Sequence, residues 1–147
     1  MQIPTPTPAR RSLELPAALR ARLLELACAR YPAEACGLLV GRRSGRGAAV
    51  TAVREARNLN TERARDRYEL DPADHLAALD LAQAAGLDLV GVWHSHPDHP
   101  AVPSETDRRE AWPGWSYVIV SVAAGEPDGL RSWHLLDQGF VEEEVWP

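Results

Sequence analysis

Two rhythms of apolar residues run along the chain. Leu15, Leu19, Leu23, Leu26 and Ala27 recur three or four positions apart, the spacing of one helix face. They predict a first helix, capped by Ser12 and ended at Tyr31-Pro32, because the residue before a proline avoids helical angles. Residues 34–42, EACGLLVGR, form a short apolar run between turn residues and read as a buried strand. A turn rich in Gly and Arg at 43–47 leads to its hairpin partner at 48–53.

Residues 54–66 are polar and aperiodic, a loop, and residues 67–70 read as a short strand. Asp71-Pro72 opens a second helix with a capping carboxylate and a first-turn proline. That helix stops at Gly86. Residues 87–97, LDLVGVWHSHP, are a strand with a histidine-rich exit. A short helix at 104–111 ends at Pro113-Gly114, and three strands follow at 115–122, 130–137 and 139–146, the last two joined by the turn Asp137-Gln138-Gly139. This order predicts an α/β fold of the α+β kind, a mixed, curved sheet with helices packed against it.

Length and composition narrow the picture further. A chain of 147 residues suits one domain. Residues 1–11, with their alternating Pro and Thr, are expected to be a flexible tail, leaving 12–147 as a single domain. The net charge of -5 argues against a nucleic-acid partner, since phosphate binding needs a basic surface. No segment holds the ~20 apolar residues of a membrane span, and the N-terminal run is polar rather than signal-like; a cytoplasmic protein with no membrane partner is expected. Cys28 and Cys36 are too few for a disulfide framework and read as buried small hydrophobes. His75 and His134 read as surface residues.

The chemistry gathers in HSHPDHPAVPSETD, residues 94–107. Alternate residues of a strand share a face, so His94 and His96 point the same way and can meet one metal. Asp107 follows after a Pro-rich loop that can fold back. Three protein ligands leave a tetrahedral position open for water, the mark of a catalytic rather than a structural zinc site. Asp98 and His99 stand as alternative ligands. Ser104 and Asp107 also form the S-x-x-D pattern of a capping box.

With Glu34 on the early strand, then His94-Ser95-His96, seven residues, Ser104, two residues and Asp107, the sequence resembles the JAB1/MPN/Mov34 metalloprotease family, also called JAMM or MPN+ proteins, in its small stand-alone bacterial branch. EACGLLVG and GVWHSHPDHP add to the resemblance, which spans about residues 13–146. It implies an MPN, cytidine-deaminase-like architecture and one Zn2+ per chain on His94, His96 and Asp107. Glu34 would be the general acid–base and Ser104 the oxyanion donor. The implied substrate is a ubiquitin-like sulfur-carrier protein, cut at its C-terminal Gly-Gly end, with release of a residue such as cysteine. All 16 basic residues are arginine, so no side chain here can accept an isopeptide bond, and the chain would process such tags rather than carry them. An extended Gly-Gly tail is expected to pair with a strand edge beside the metal. Two other readings are a non-catalytic interaction scaffold and a thiol hydrolase built on Cys36.

Overall fold

Alternation rather than helical spacing governs the first core leucines. Leu13 and Leu15 are both buried, and Ser12–Glu14 is a strand, β1. Ser12 is therefore not a helix cap. Pro16 takes that position with extended angles, and helix α1 runs over Ala17–Arg30. The computed structural model that shows this describes residues 2–4 and 10–147. Of the tail expected over 1–11, residues 1 and 5–9 lie outside the described residues.

The remaining elements are β2 (Cys36–Ser44), β3 (Gly47–Ala56), α2 (Pro72–Ala84), β4 (Asp88–Pro97), α3 (Glu105–Glu110), β5 (Ser116–Ala123), β6 (Glu126–Leu136) and β7 (Gly139–Trp146). Residues 67–70 form no strand; only Leu70 makes a lone bridge, to Asn58. The sheet is mixed, as expected, and its order is β1-β3-β2-β4-β5-β6-β7. It closes into a barrel because β1 pairs in parallel with both β3 and β7. β1 spans only Gly47–Ala49 of β3 and Glu144–Trp146 of β7, so closure leaves the rest of both strands without a strand partner on that side.

Helix α1 buries Leu23, Leu26 and Ala27 against a core that includes Leu39, Val90, Trp93, Val118 and Val120. Gly37 makes room for Trp93: a Cβ there would stand 2.4 Å from the indole nitrogen and 1.9 Å from the Arg54 carbonyl oxygen. On the opposite sheet face, Ala78 and Ala82 of α2 cover Leu38, Val40 and Leu89. Asp71 caps α2 through Ala73 N–H. His134, expected at the surface, is buried. Leu130, Ser132 and His134 alternate to one side of β6, and that side also accommodates polar groups: Ser132 Oγ donates to the buried Glu143 at 2.6 Å. Arg11, just ahead of β1, pairs with the same carboxylate at 3.1 Å. No helix among the described residues is long and apolar enough to cross a membrane.

Candidate active site

The end of β4 meets the start of β2. The two strands are antiparallel, with Cys36 opposite His94. One residue earlier, the Ala35 carbonyl accepts from Ser95 N–H at 3.0 Å, and Ala35 N–H donates to Ser95 Oγ at 2.8 Å. This register carries Glu34 to the level of His96. Strand alternation then sends Glu34, Cys36, His94 and His96 to one side of the sheet. Leu38 lies on that side too and is covered by α2, which leaves the histidine end for the 57–70 loop and α3.

Asn58 organises that loop. Its amide nitrogen donates to the carbonyls of Glu34 (3.2 Å) and Arg67 (3.1 Å), and its oxygen accepts from the backbone of Asn60 (3.0 Å) and Glu69 (2.9 Å). The loop thereby presents Tyr68, whose ring stacks on His94 with centroids 4.6 Å apart.

His96 Nδ1 lies 2.8 Å from the Pro100 carbonyl and Nε2 lies 3.1 Å from Asp107 Oδ2. A carbonyl oxygen can only accept, so Nδ1 carries the proton and, in the neutral ring, Nε2 offers its lone pair. His94 repeats the pattern. Its Nδ1 faces Glu34 Oε1 at 3.2 Å, and its Nε2 faces Asp107 Oδ1 at 3.5 Å. Both Nε2 atoms therefore turn toward one carboxylate. Two imidazole nitrogens and a carboxylate oxygen are donors that suit zinc, and the Pro100 carbonyl orients a ligand from behind as a metal-site partner does. Among the described residues, the group whose ligand atoms all lie within 4.8 Å of one another is Glu34, His94 and His96, so two donor sets share the histidines. The tautomer inferred for His96 frees Nε2 for a metal in either set, and Asp107 is the carboxylate that both Nε2 atoms face.

The electrostatics follow from this crowding. Burial would raise Asp107, but the His96 hydrogen bond, the His94 charge and Ser104 N–H hold its carboxyl at about 2. Burial is also the strongest influence on His94 and lowers it. The Glu34 hydrogen bond and the Asp107 charge outweigh burial and raise it above its ordinary value. A metal at these nitrogens would displace that proton. Tyr68 is held well above the usual range, by burial first and then by the Asp107 charge.

Ser104 caps the six-residue α3 in a capping box. Its Oγ accepts from Asp107 N–H at 3.0 Å, and its own N–H donates to Asp107 Oδ2 at 2.8 Å. Oγ is engaged only as an acceptor among the described residues, which leaves its proton uncommitted. Ser104 lines a cleft of about 470 Å³ together with Glu34, His96 and Arg67. A second cavity of about 450 Å³ lies beside Tyr68 and is walled by His75, Trp112, Trp115 and Tyr117. Arg67 and Thr106 line both spaces.

Other candidates stay apart. Asp98 and His99 are exposed and outside both ligand groups. Asp98 instead accepts from Tyr31 Oη at 2.7 Å and Ala124 N–H at 2.9 Å. His75 is half-buried beside Trp112 and Trp115. Cys28 is half-buried. Cys36 is fully buried, and burial with the Glu34 charge pushes its thiol up to about 12. It is protonated at neutral pH and lacks the thiolate that a cysteine hydrolase needs. Sequence reasoning missed Ser95, Asn58, Tyr68 and Pro100. Their roles depend on strand register and loop closure, which leave no local pattern.

Residues 16–136 match the family described as prokaryotic homologs of the JAB domain. The chain is 44% identical over 104 residues to a desampylase of Haloferax volcanii, covering 70% of this chain and 69% of that protein. It is 33% identical over 116 residues to a CysO-cysteine peptidase of Mycobacterium tuberculosis, covering 78% of this chain and 77% of that protein. A solution structure from Desulfitobacterium hafniense superposes with a TM-score of 0.81 at 34% identity, covering 91% of each chain.

Proposed function

This chain belongs to the family of prokaryotic JAB-domain homologs, and from that premise we propose that it is a zinc-dependent hydrolase that cuts the bond after the C-terminal Gly-Gly of a ubiquitin-like sulfur-carrier protein. The observation that carries this reading is the shared orientation of two imidazole Nε2 atoms toward the Asp107 carboxylate, with Glu34 beside them. The desampylase and the CysO-cysteine peptidase support the substrate class by their names.

His94, His96 and Asp107 would hold the zinc, one ion per chain. A zinc ion there supplies a Lewis acid that acidifies water and polarises the scissile carbonyl. Glu34 takes the proton from the attacking water and passes it to the leaving amine, the work of a general acid–base within hydrogen-bond reach. Ser104 turns its uncommitted proton toward the oxyanion of the tetrahedral intermediate. Such a donor is effective because it is already oriented before charge develops. The Pro100 carbonyl and the Asn58 side chain hold His96 and the Glu34 backbone in place.

The direct test is to incubate zinc-loaded protein with a carrier bearing an amino acid after its Gly-Gly and to weigh the product. The expected result is loss of that one residue, blocked by a chelator. If intact adducts persist while unrelated peptides are cut, the carrier assignment falls and the hydrolase reading survives.

Ser104 separates structure from chemistry. Ser104→Ala is expected to lower turnover by about 10²-fold, while the lost cap costs only ~1 kcal/mol of stability. Thermal melting and turnover measured on one preparation distinguish the two. A variant that melts earlier but turns over normally leaves Ser104 as a helix cap alone.

A further inference from the structure

The 57–70 loop carries four arginines with different fates. Arg57 is paired with Asp71, and Arg63 with Asp66. Among the described residues, Arg65 and Arg67 form no ion pair, and neither side chain makes a hydrogen bond. Arg65 is exposed at the outer rim of the cleft, but Arg67 is half-buried in its wall. Half-burying a guanidinium costs solvation that a counter-ion normally offsets. The acids nearby do not serve. Asp66 is bonded to Arg63, and Glu69, Glu105 and Glu110 line the two spaces without pairing with Arg67. A charge left open in the same wall as Glu34, His96 and Ser104 fits an anion that arrives with the substrate.

Resting on the function proposed above, chemistry narrows which anion that is. A Gly-Gly tail has no charged side chain, and its own carboxylate exists only after cleavage. On the other side of the scissile bond, an amino acid leaving with a free C-terminus has a carboxylate one carbon away from the leaving nitrogen. A lysine joined through its side chain has no free carboxylate so close. We propose that Arg67 is a specificity residue that binds the α-carboxylate of the leaving amino acid, selecting carriers that end in one free residue over carriers joined to a protein lysine. The guanidinium fork suits a carboxylate because it can donate two parallel hydrogen bonds. The bond change is ordinary hydrolysis. Water oxygen joins the glycine carbonyl carbon, the C–N bond breaks, and the proton reaches the leaving nitrogen through Glu34.

The test uses the full zinc-loaded chain and one ubiquitin-fold carrier ending in Gly-Gly-Cys, made either as the free acid or as the carboxamide. Wild-type protein is expected to favour the acid in kcat/KM by on the order of ten- to a hundredfold, chiefly through KM. In Arg67→Gln that ratio falls toward one, and Arg67→Lys restores part of it. Equal wild-type rates on acid and amide overturn the inference whether or not the variants fold, and so does an unchanged ratio in Arg67→Gln. Cleavage of neither substrate by wild-type protein overturns the hydrolase reading itself, and this inference with it.

Discussion

His96→Ala empties the metal site and brings carrier cleavage down to background. The imidazole is fixed at both nitrogens, by the Pro100 carbonyl at 2.8 Å and by Asp107 at 3.1 Å, so no neighbouring side chain can take its place. Two remaining ligands are too few for a site that uses three protein donors and an open position. Wild-type protein is expected to hold about one zinc per chain, and His94→Ala, His96→Ala and Asp107→Ala close to none. Chelator treatment reproduces the loss of activity, and added zinc reverses it. His99→Ala keeps its metal, because His99 is neither in the Glu34, His94 and His96 group nor in contact with Asp107. Elemental analysis of the purified variants reads this directly. The same panel separates the two groups of donors: if Asp107→Ala keeps the ion while Glu34→Gln loses it, the ligand set is Glu34, His94 and His96.

Glu34→Gln is expected to retain zinc and lose turnover by about 10²- to 10⁴-fold, the range of general acid–base contributions. The substitution preserves shape and removes only the ability to accept a proton from water. The amide can still accept a hydrogen bond from His94 Nδ1, so the ring keeps its orientation. Glu34 is buried, and its backbone is gripped by Asn58 at 3.2 Å, which makes a compensating rearrangement costly. Single-turnover rates beside zinc content give the answer. A Glu34→Gln protein with full zinc and full rate removes Glu34 from the mechanism.

How much of this could be read in the sequence depends on distance along the chain. His94 and His96 are two residues apart on a strand, so period-two alternation alone puts them on one face. Asp107 lies within the same segment, and its S-x-x-D capping box was legible as a pattern. Glu34 is different. It is 60 residues from His94, and only the resemblance to a known family joined the two. The physical link is the Ala35–Ser95 pairing, which register decides and composition does not. Residues 54–66 read as an aperiodic loop and 67–70 as a short strand, whereas the order of the 57–70 segment comes from one side chain, Asn58, bonded to four backbone groups. Tyr68 was hidden with it. β1 escaped because three residues are too short for alternation to compete with the helical spacing that begins at Leu15. His134 was misplaced because an inward-facing histidine is expected to be apolar-flanked, whereas here Ser132 and Glu143 make that side of β6 polar.

The short β1 also sets where the molecule is weakest. A seven-strand barrel held shut by a three-residue strand has its fewest cross-strand bonds at one seam, between β3 and β7. Local opening favours the region with least to lose, and opening here adds Gly47–Ala49 and Glu144–Trp146 to the unpaired edges of β3 and β7, the templates from which chains join into aggregates. Arg11 opposes that step. Peeling β1 away would pull the Arg11 guanidinium from Glu143 and leave a buried carboxylate with only the Ser132 hydroxyl, a costly state. One ion pair beside a minimal strand therefore guards the chain's solubility as much as its shape, and it does so at a point remote from the chemistry.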